Sequence, residues 1–140
     1  MLERTLGGEI TTEAELEAAL VDFGVEFATA TAQSRHRTAM VQLITAEAAH
    51  FPRLMEMWRA RGPEQGALAR RLQELAQAGF LDLEDADEAA AHLGILTTTL
   101  VNDRTLYGVA PVEQDVLVGI VTRGVRVFLR AYGIVHAPDR

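Results

Sequence analysis

The stretch from Val116 to Leu129 constrains this chain most, because Val116, Leu117, Ile120, Val121, Val125, Val127, Phe128 and Leu129 leave a helix apolar around most of its girth. Such a helix has to be covered on more than one side. It follows Pro111, a residue suited to a helix start. The pattern ahead of it, from Ala86 to about Tyr107, is also helical and carries two neighbouring stripes. Ala89, Leu93, Leu96 and Leu100 form one, and His92, Ile95, Thr99 and Leu106 form the other. Two stripes call for two neighbours.

The remaining segments are smaller amphipathic helices, too few to cover both. The simplest cover is a second copy, with the two long helices of each chain joined as a four-helix bundle about a two-fold axis. A single-chain bundle with a buried central helix is the alternative. Pairing would place Leu100, Leu106, Val116, Leu117, Ile120, Val121, Gly124, Val127 and Phe128 at the dimer interface. Gly119 and Gly124 each cost a helix about 1 kcal/mol relative to alanine, which close helix contact would explain.

Upstream, Thr12 to about Thr31 places Leu16, Leu20, Phe23 and Phe27 at helical spacing opposite Glu13, Glu17 and Glu26, with Thr12 and Glu15 in a capping-box pattern. Ser34 is placed to cap a second helix, whose face is lined by Met40, Leu43, Ile44 and Phe51 and interrupted by Glu47. Pro52 restarts the chain through Leu54, Met55 and Trp58, and Gly62-Pro63 is a stop followed by a start. Leu68, Leu72 and Leu75 then share one stripe before Gly79, and Asp85 with Glu88 opens the long helix. No strand-like alternation persists beyond a few residues. The expected fold is all-α, with residues 1–11 as an N-terminal lead and residues 12–140 as a single domain.

Charge narrows the function classes. Net charge is −7; residues 1–34 hold seven acids against one arginine, and residues 72–103 hold seven acids and no base. Phosphate backbones need clustered cations, so DNA binding by these residues is disfavoured. The absence of cysteine excludes disulfides, thiolate metal sites and a cysteine nucleophile, and fits a reducing cytoplasm. Neither a signal peptide nor an apolar run long enough to span a membrane is present.

In order along the chain, Glu47-Ala48-Ala49-His50-Phe51-Pro52-Arg53-Leu54, Trp58, Gly62-Pro63, Ala78-Gly79-Phe80-Leu81 and the acidic start Asp85-Ala86-Asp87-Glu88-Ala89-Ala90 form a recognisable series. It resembles the C-terminal ligand-binding and dimerisation domain of TetR-family transcriptional regulators, over about residues 12 to 134. Their order and spacing carry the likeness, since no one motif is specific. The family's basic helix-turn-helix head has no counterpart ahead of Thr12, which reads as an effector-domain fragment or a headless relative. The resemblance implies a ligand pocket among the first four helices and the helix from residue 86, coupled to a dimer interface. The implied partners are a second copy, a small and largely apolar effector, and DNA only through a head outside these residues.

Polar residues that interrupt apolar stripes are the informative ones for such a pocket. Glu47 could receive a cationic or hydroxylated effector, or pair structurally with Arg37 or Arg53. His92, beside Ile95 and Thr99, could meet a ligand or the dimer partner, or be a satisfied core histidine. The run Thr97-Thr98-Thr99 with Asn102 is a polar patch, or threonines bonded back to their own helix. Trp58, with Phe23, Phe27, Met40 and Met55, could wall a pocket or simply be core. The candidate ligand residues are thus Phe23, Phe27, Met40, Leu43, Ile44, Glu47, Trp58, His92, Leu96 and Thr99.

Enzyme readings are weaker. Glu47-x-x-His50 has the spacing of half a carboxylate-bridged di-iron site, but Glu88 with His92 is one residue too long for the other half. Ser34 reads as a cap rather than a nucleophile, and no phosphate-binding loop is present. No catalytic residue, metal or cofactor is expected. A dimerising interaction protein without ligand is the competing class, and a small helical metalloenzyme the remote one.

Overall fold

A computed structural model of the chain describes residues 1–60 and 63–134, apart from the side chains of residues 58, 59 and 63–65. The described residues form α1 (Leu2–Thr5), α2 (Glu13–Gln33), α3 (Arg35–Glu47), α4 (Pro52–Arg59), α5 (Pro63–Gln77) and α6 (Ala86–Gly94). A π-helical turn (Ile95–Thr99) joins α6 to α7 (Leu100–Arg104), and α8 (Gln114–Tyr132) closes the order. Among these residues the fold is all-helical, and the one β-type contact is an isolated antiparallel bridge between Leu81 and Gly133.

The helix starts follow local chemistry. Thr12 accepts from the Glu15 amide at 3.1 Å while the Glu15 carboxylate receives the Thr12 amide at 3.2 Å, the reciprocal capping box expected at the head of α2. Ser34 caps α3 through the Arg37 amide at 3.1 Å, and Asp85 caps α6 through the amides of Asp87 and Glu88. Gly79 takes φ +89 after α5, the left-handed turn that a residue without Cβ makes at no steric cost.

α8 lies against α2 and the π turn, and α5 packs on α6. Leu16, Leu20 and Phe23 of α2, Leu72 and Leu75 of α5, Leu93 of α6 and Leu117, Val121, Val125 and Phe128 of α8 make up much of one core. Each such side chain contributes about 1.5–3 kcal/mol when fully buried, so this face of α8 is committed to its own chain. That corrects the sequence expectation for five of the nine interface candidates. Leu117, Ile120, Val121, Gly124 and Phe128 are buried inside the chain, because α2 is long enough to cover the face they share. Leu100, Leu106, Val116 and Val127 stay exposed.

Gly124 marks the closest approach. A Cβ there would lie 2.1 Å from the carbonyl oxygen of Leu96, so α8 rests on the backbone of the π turn. The glycine therefore serves contact within the chain, where the sequence suggested contact between copies. Two boundaries also move. The run from Ala86 is interrupted by the π turn, and α8 begins at Gln114 rather than Pro111.

The eleven residues expected as a lead are tied in. Leu6 is 0% exposed, the Arg71 guanidinium donates to the carbonyls of Leu6 at 2.7 Å and Gly8 at 2.9 Å, and Arg4 pairs with Glu26. In contrast, α3 has no buried residue, and its main neighbour is α4. Met40, Leu43 and Phe51, expected to face inward, are 43%, 56% and 57% exposed. The α3–α4 arm stands off the core because α2, α5, α6 and α8 already satisfy one another.

Candidate functional site

Where α3 and α4 face the end of α7, a cavity of about 660 Å³ opens, within the range of small-molecule sites. Val41, Gln42, Ile44 and Thr45 of α3 form one wall, and Leu106 and Tyr107 form the opposite one. Ala46 and Ala48 at the end of α3 and Met55 of α4 complete it. Among the described residues no lining side chain is charged.

The wall at Leu106 and Tyr107 is set by the end of α7. Val101 and Thr105 are buried and anchor that turn, with the Thr105 hydroxyl donating to the Val101 carbonyl at 2.9 Å. The chain then passes through three left-handed residues, Leu106 (φ 49), Tyr107 (φ 58) and Gly108 (φ 91). The Thr38 hydroxyl of α3 lies within hydrogen-bond distance of the Tyr107 carbonyl as well as the Ser34 carbonyl, and so links the arm to this turn.

Of the ten ligand residues proposed from sequence, the cavity gathers Ile44. Met40 and Leu43 lie on the same helix but are exposed. Glu47 is half-buried beside the lining residues Ala46 and Ala48, and among the described residues it makes no ion pair with Arg37 or Arg53. The Trp58 side chain lies outside the described residues. Phe23 and Phe27 stack with ring centroids 5.9 Å apart, Phe23 within the core and Phe27 packed against it. Leu96 is half-buried and presents its carbonyl to Gly124, and Thr99 is exposed.

His92 lies elsewhere, its Nδ1 2.5 Å from the Tyr132 hydroxyl and its Nε2 3.9 Å from Glu88. Burial first, then the carboxylates of Glu88, Asp85 and Glu84, hold the Tyr132 phenol above its ordinary value of 10.0, so it stays protonated at neutral pH. The histidine is thus satisfied by a neighbour on α8. Among the described residues no group of three or more His, Asp or Glu side chains is placed to hold a metal.

Met55, read from sequence as a possible pocket wall, does line the cavity, whereas Tyr107, Val41, Gln42, Thr45, Ala46 and Ala48 were not singled out as ligand residues, and Leu106 was assigned to the interface. Only Gly108, a helix stop, hints in the sequence at the turn that aims Leu106 and Tyr107.

A larger, open cleft of about 1050 Å³ lies between the start of α2, Gly79-Phe80 and the end of α8. Glu13, Glu17, Arg126 and Arg130 line it, with Arg126 donating to Glu17 at 3.0 Å across it. Its charged, solvated lining makes it the poorer small-molecule site.

The sequence meets a known pattern, because the model of AefR-like transcriptional repressors, C-terminal domain, matches residues 18–134. The chain belongs to the TetR family. A solved structure assigned to a TetR-family transcriptional regulator of Mesorhizobium loti superposes with a TM-score of 0.77 at 22% identity, over 95% of this chain. The chain spans 65% of that protein's length, so the likeness concerns the fold of these helices. No curated protein matches the chain. What the family model matches is a C-terminal domain, and among the described residues no helix is long and apolar enough to cross a membrane.

Proposed function

We propose that this chain is the effector-binding and dimerisation part of a cytoplasmic TetR-family regulator, with residues 12–140 as one domain and no catalytic role. The effector occupies the cavity between the α3–α4 arm and the α7–α8 turn, and a second copy covers the exposed apolar residues of α7 and α8. The observation that carries this reading is the cavity of about 660 Å³, whose described lining is uncharged, because its walls come from both the loosely held arm and the turn leading into α8. A ligand there touches two separate elements, and differential affinity for two arrangements of them is what sensing requires. DNA contact is assigned to a helix-turn-helix head outside these residues.

The pairing face is what remains exposed after the core is formed. On α8, Val116, Arg123 and Val127 are exposed and recur along one side, and Ile95 and Leu100 are exposed on the preceding helical run. Native mass spectrometry of the whole chain at micromolar concentration is expected to give twice the 15.3 kDa chain mass. Replacing Leu100 and Val127 with glutamate should return the mass to that of one chain while leaving helix content intact, since both residues lie outside the core. A wild-type monomer at that concentration would sink the pairing.

A further inference from the structure

Leu106 and Tyr107 adopt φ of 49 and 58, a region that residues with a Cβ enter only at a cost. Such a conformation persists where its surroundings over-determine it. Here the Tyr107 amide donates to the Asn102 carbonyl at 2.7 Å, the Ala110 amide to the Thr105 carbonyl at 2.8 Å, and the Gly108 amide to the Thr105 hydroxyl at 3.0 Å. Core packing does not explain the arrangement, because the two side chains are 65% and 54% exposed. What they do is line the cavity opposite α3.

The cavity's chemistry restricts what they can meet. Among the described residues none of the lining side chains carries a charge, so a charged group drawn against them would lose hydration without a counter-charge. The net charge of −7 further disfavours an anion. Thr45, the one threonine in the lining, already donates its hydroxyl to the Val41 carbonyl at 2.7 Å.

We propose that the left-handed pair Leu106–Tyr107 is the specificity wall of this cavity and that its ligand is an uncharged, largely apolar molecule. The proposal rests on the effector-binding reading above and adds to it the ligand's class and the residues that select it.

The test titrates the whole chain with phenylnaphthylamine, a neutral fluorescent probe, and with anilinonaphthalene sulfonate, its anionic relative. The neutral probe is expected to bind about tenfold more tightly, and Ala46→Trp, which fills the cavity from α3, should abolish that binding. Leu106→Gly and Tyr107→Gly keep the left-handed backbone without its steric cost. They should weaken the neutral probe about fivefold while the melting temperature holds or rises. Equal affinity for the two probes, binding indifferent to Ala46→Trp, or glycine variants that bind like wild type would each overturn the proposal. So would affinity that falls only together with melting temperature. If neither probe binds the wild-type chain, the effector-binding reading itself fails, and the proposal with it.

Discussion

At Gly124 a methyl group would stand 2.1 Å from the Leu96 carbonyl oxygen, whereas at Gly24 it would meet the Val121 side chain at 2.6 Å. A backbone carbonyl has no rotamer to change, whereas the stiff, fully buried Val121 side chain can give way only at a cost, so both sites are overpacked by a methyl and Gly124 the more so. Gly124→Ala is expected to lower stability in urea denaturation by about 1–3 kcal/mol, the overpacking outweighing the gain in helix propensity. Gly24→Ala should cost less. Glu15 shows the opposite kind of legibility, since its role is local and was readable from Thr12-x-x-Glu15. Hydrogen bonds from the Thr11 amide and then the Thr11 hydroxyl hold its carboxyl below the ordinary value of 4.5. A group whose folded value is depressed stabilises the fold above its unfolded value, and that contribution is lost as pH falls through the folded value. Glu15→Gln should therefore flatten the stability profile below about pH 4.5, read from melting temperatures at stepped pH. Glu47 and His92 were legible as polar residues on apolar stripes. Their surroundings were not, because the partner of His92 comes from forty residues away, at Tyr132.

The π turn is the element on which the second half of the chain is aligned. It offsets the helix between α6 and α7, and Gly124 lets α8 rest on its backbone. Thr97 and Thr98 are buried within it and donate their hydroxyls to the carbonyls of Leu93 and Gly94, at 2.8 and 2.5 Å. Such back-bonding loosens a regular helix and favours a local departure from it. Thr97→Val keeps the shape and removes the hydroxyl, and should cost about 1 kcal/mol in urea denaturation. The three threonines were noticeable in the sequence as a polar patch. A π turn could not be read from them, because threonine bonded to its own helix occurs in regular α-helices as well.

For the whole molecule, the contrast is between a packed body and an arm. α2, α5, α6 and α8 share one core, while α3 buries no side chain and is linked to the body at Thr38. Opening free energies follow buried contact, so amide hydrogens of α3 should exchange with solvent well before those of α8 in native-state exchange. Slow exchange across α3 in the free chain would mean that the arm is packed. If the cavity is the effector site, occupancy should slow exchange in α3 and around Leu106 and Tyr107 together, because both walls are held by one ligand.

What the sequence determined by itself is whatever short-range chemistry decides. Helix periodicity, the caps at Thr12, Ser34 and Asp85 and the stop at Gly79 each rest on residues a few positions apart, and the TetR-family likeness rests on the order of such short motifs along the chain. The excess of apolar surface on the last helices was readable too. Which residues of that surface turn inward was not. Leu117, Val121 and Phe128 are indistinguishable from Val116 and Val127 by composition, and only the placement of α2 against α8 separates a core face from an exposed one. The same holds for the cavity. Ile44 and Tyr107 are brought together by the fold alone, since apolar side chains gain similarly wherever they are buried, and the tertiary packing that wins leaves α3 on the outside.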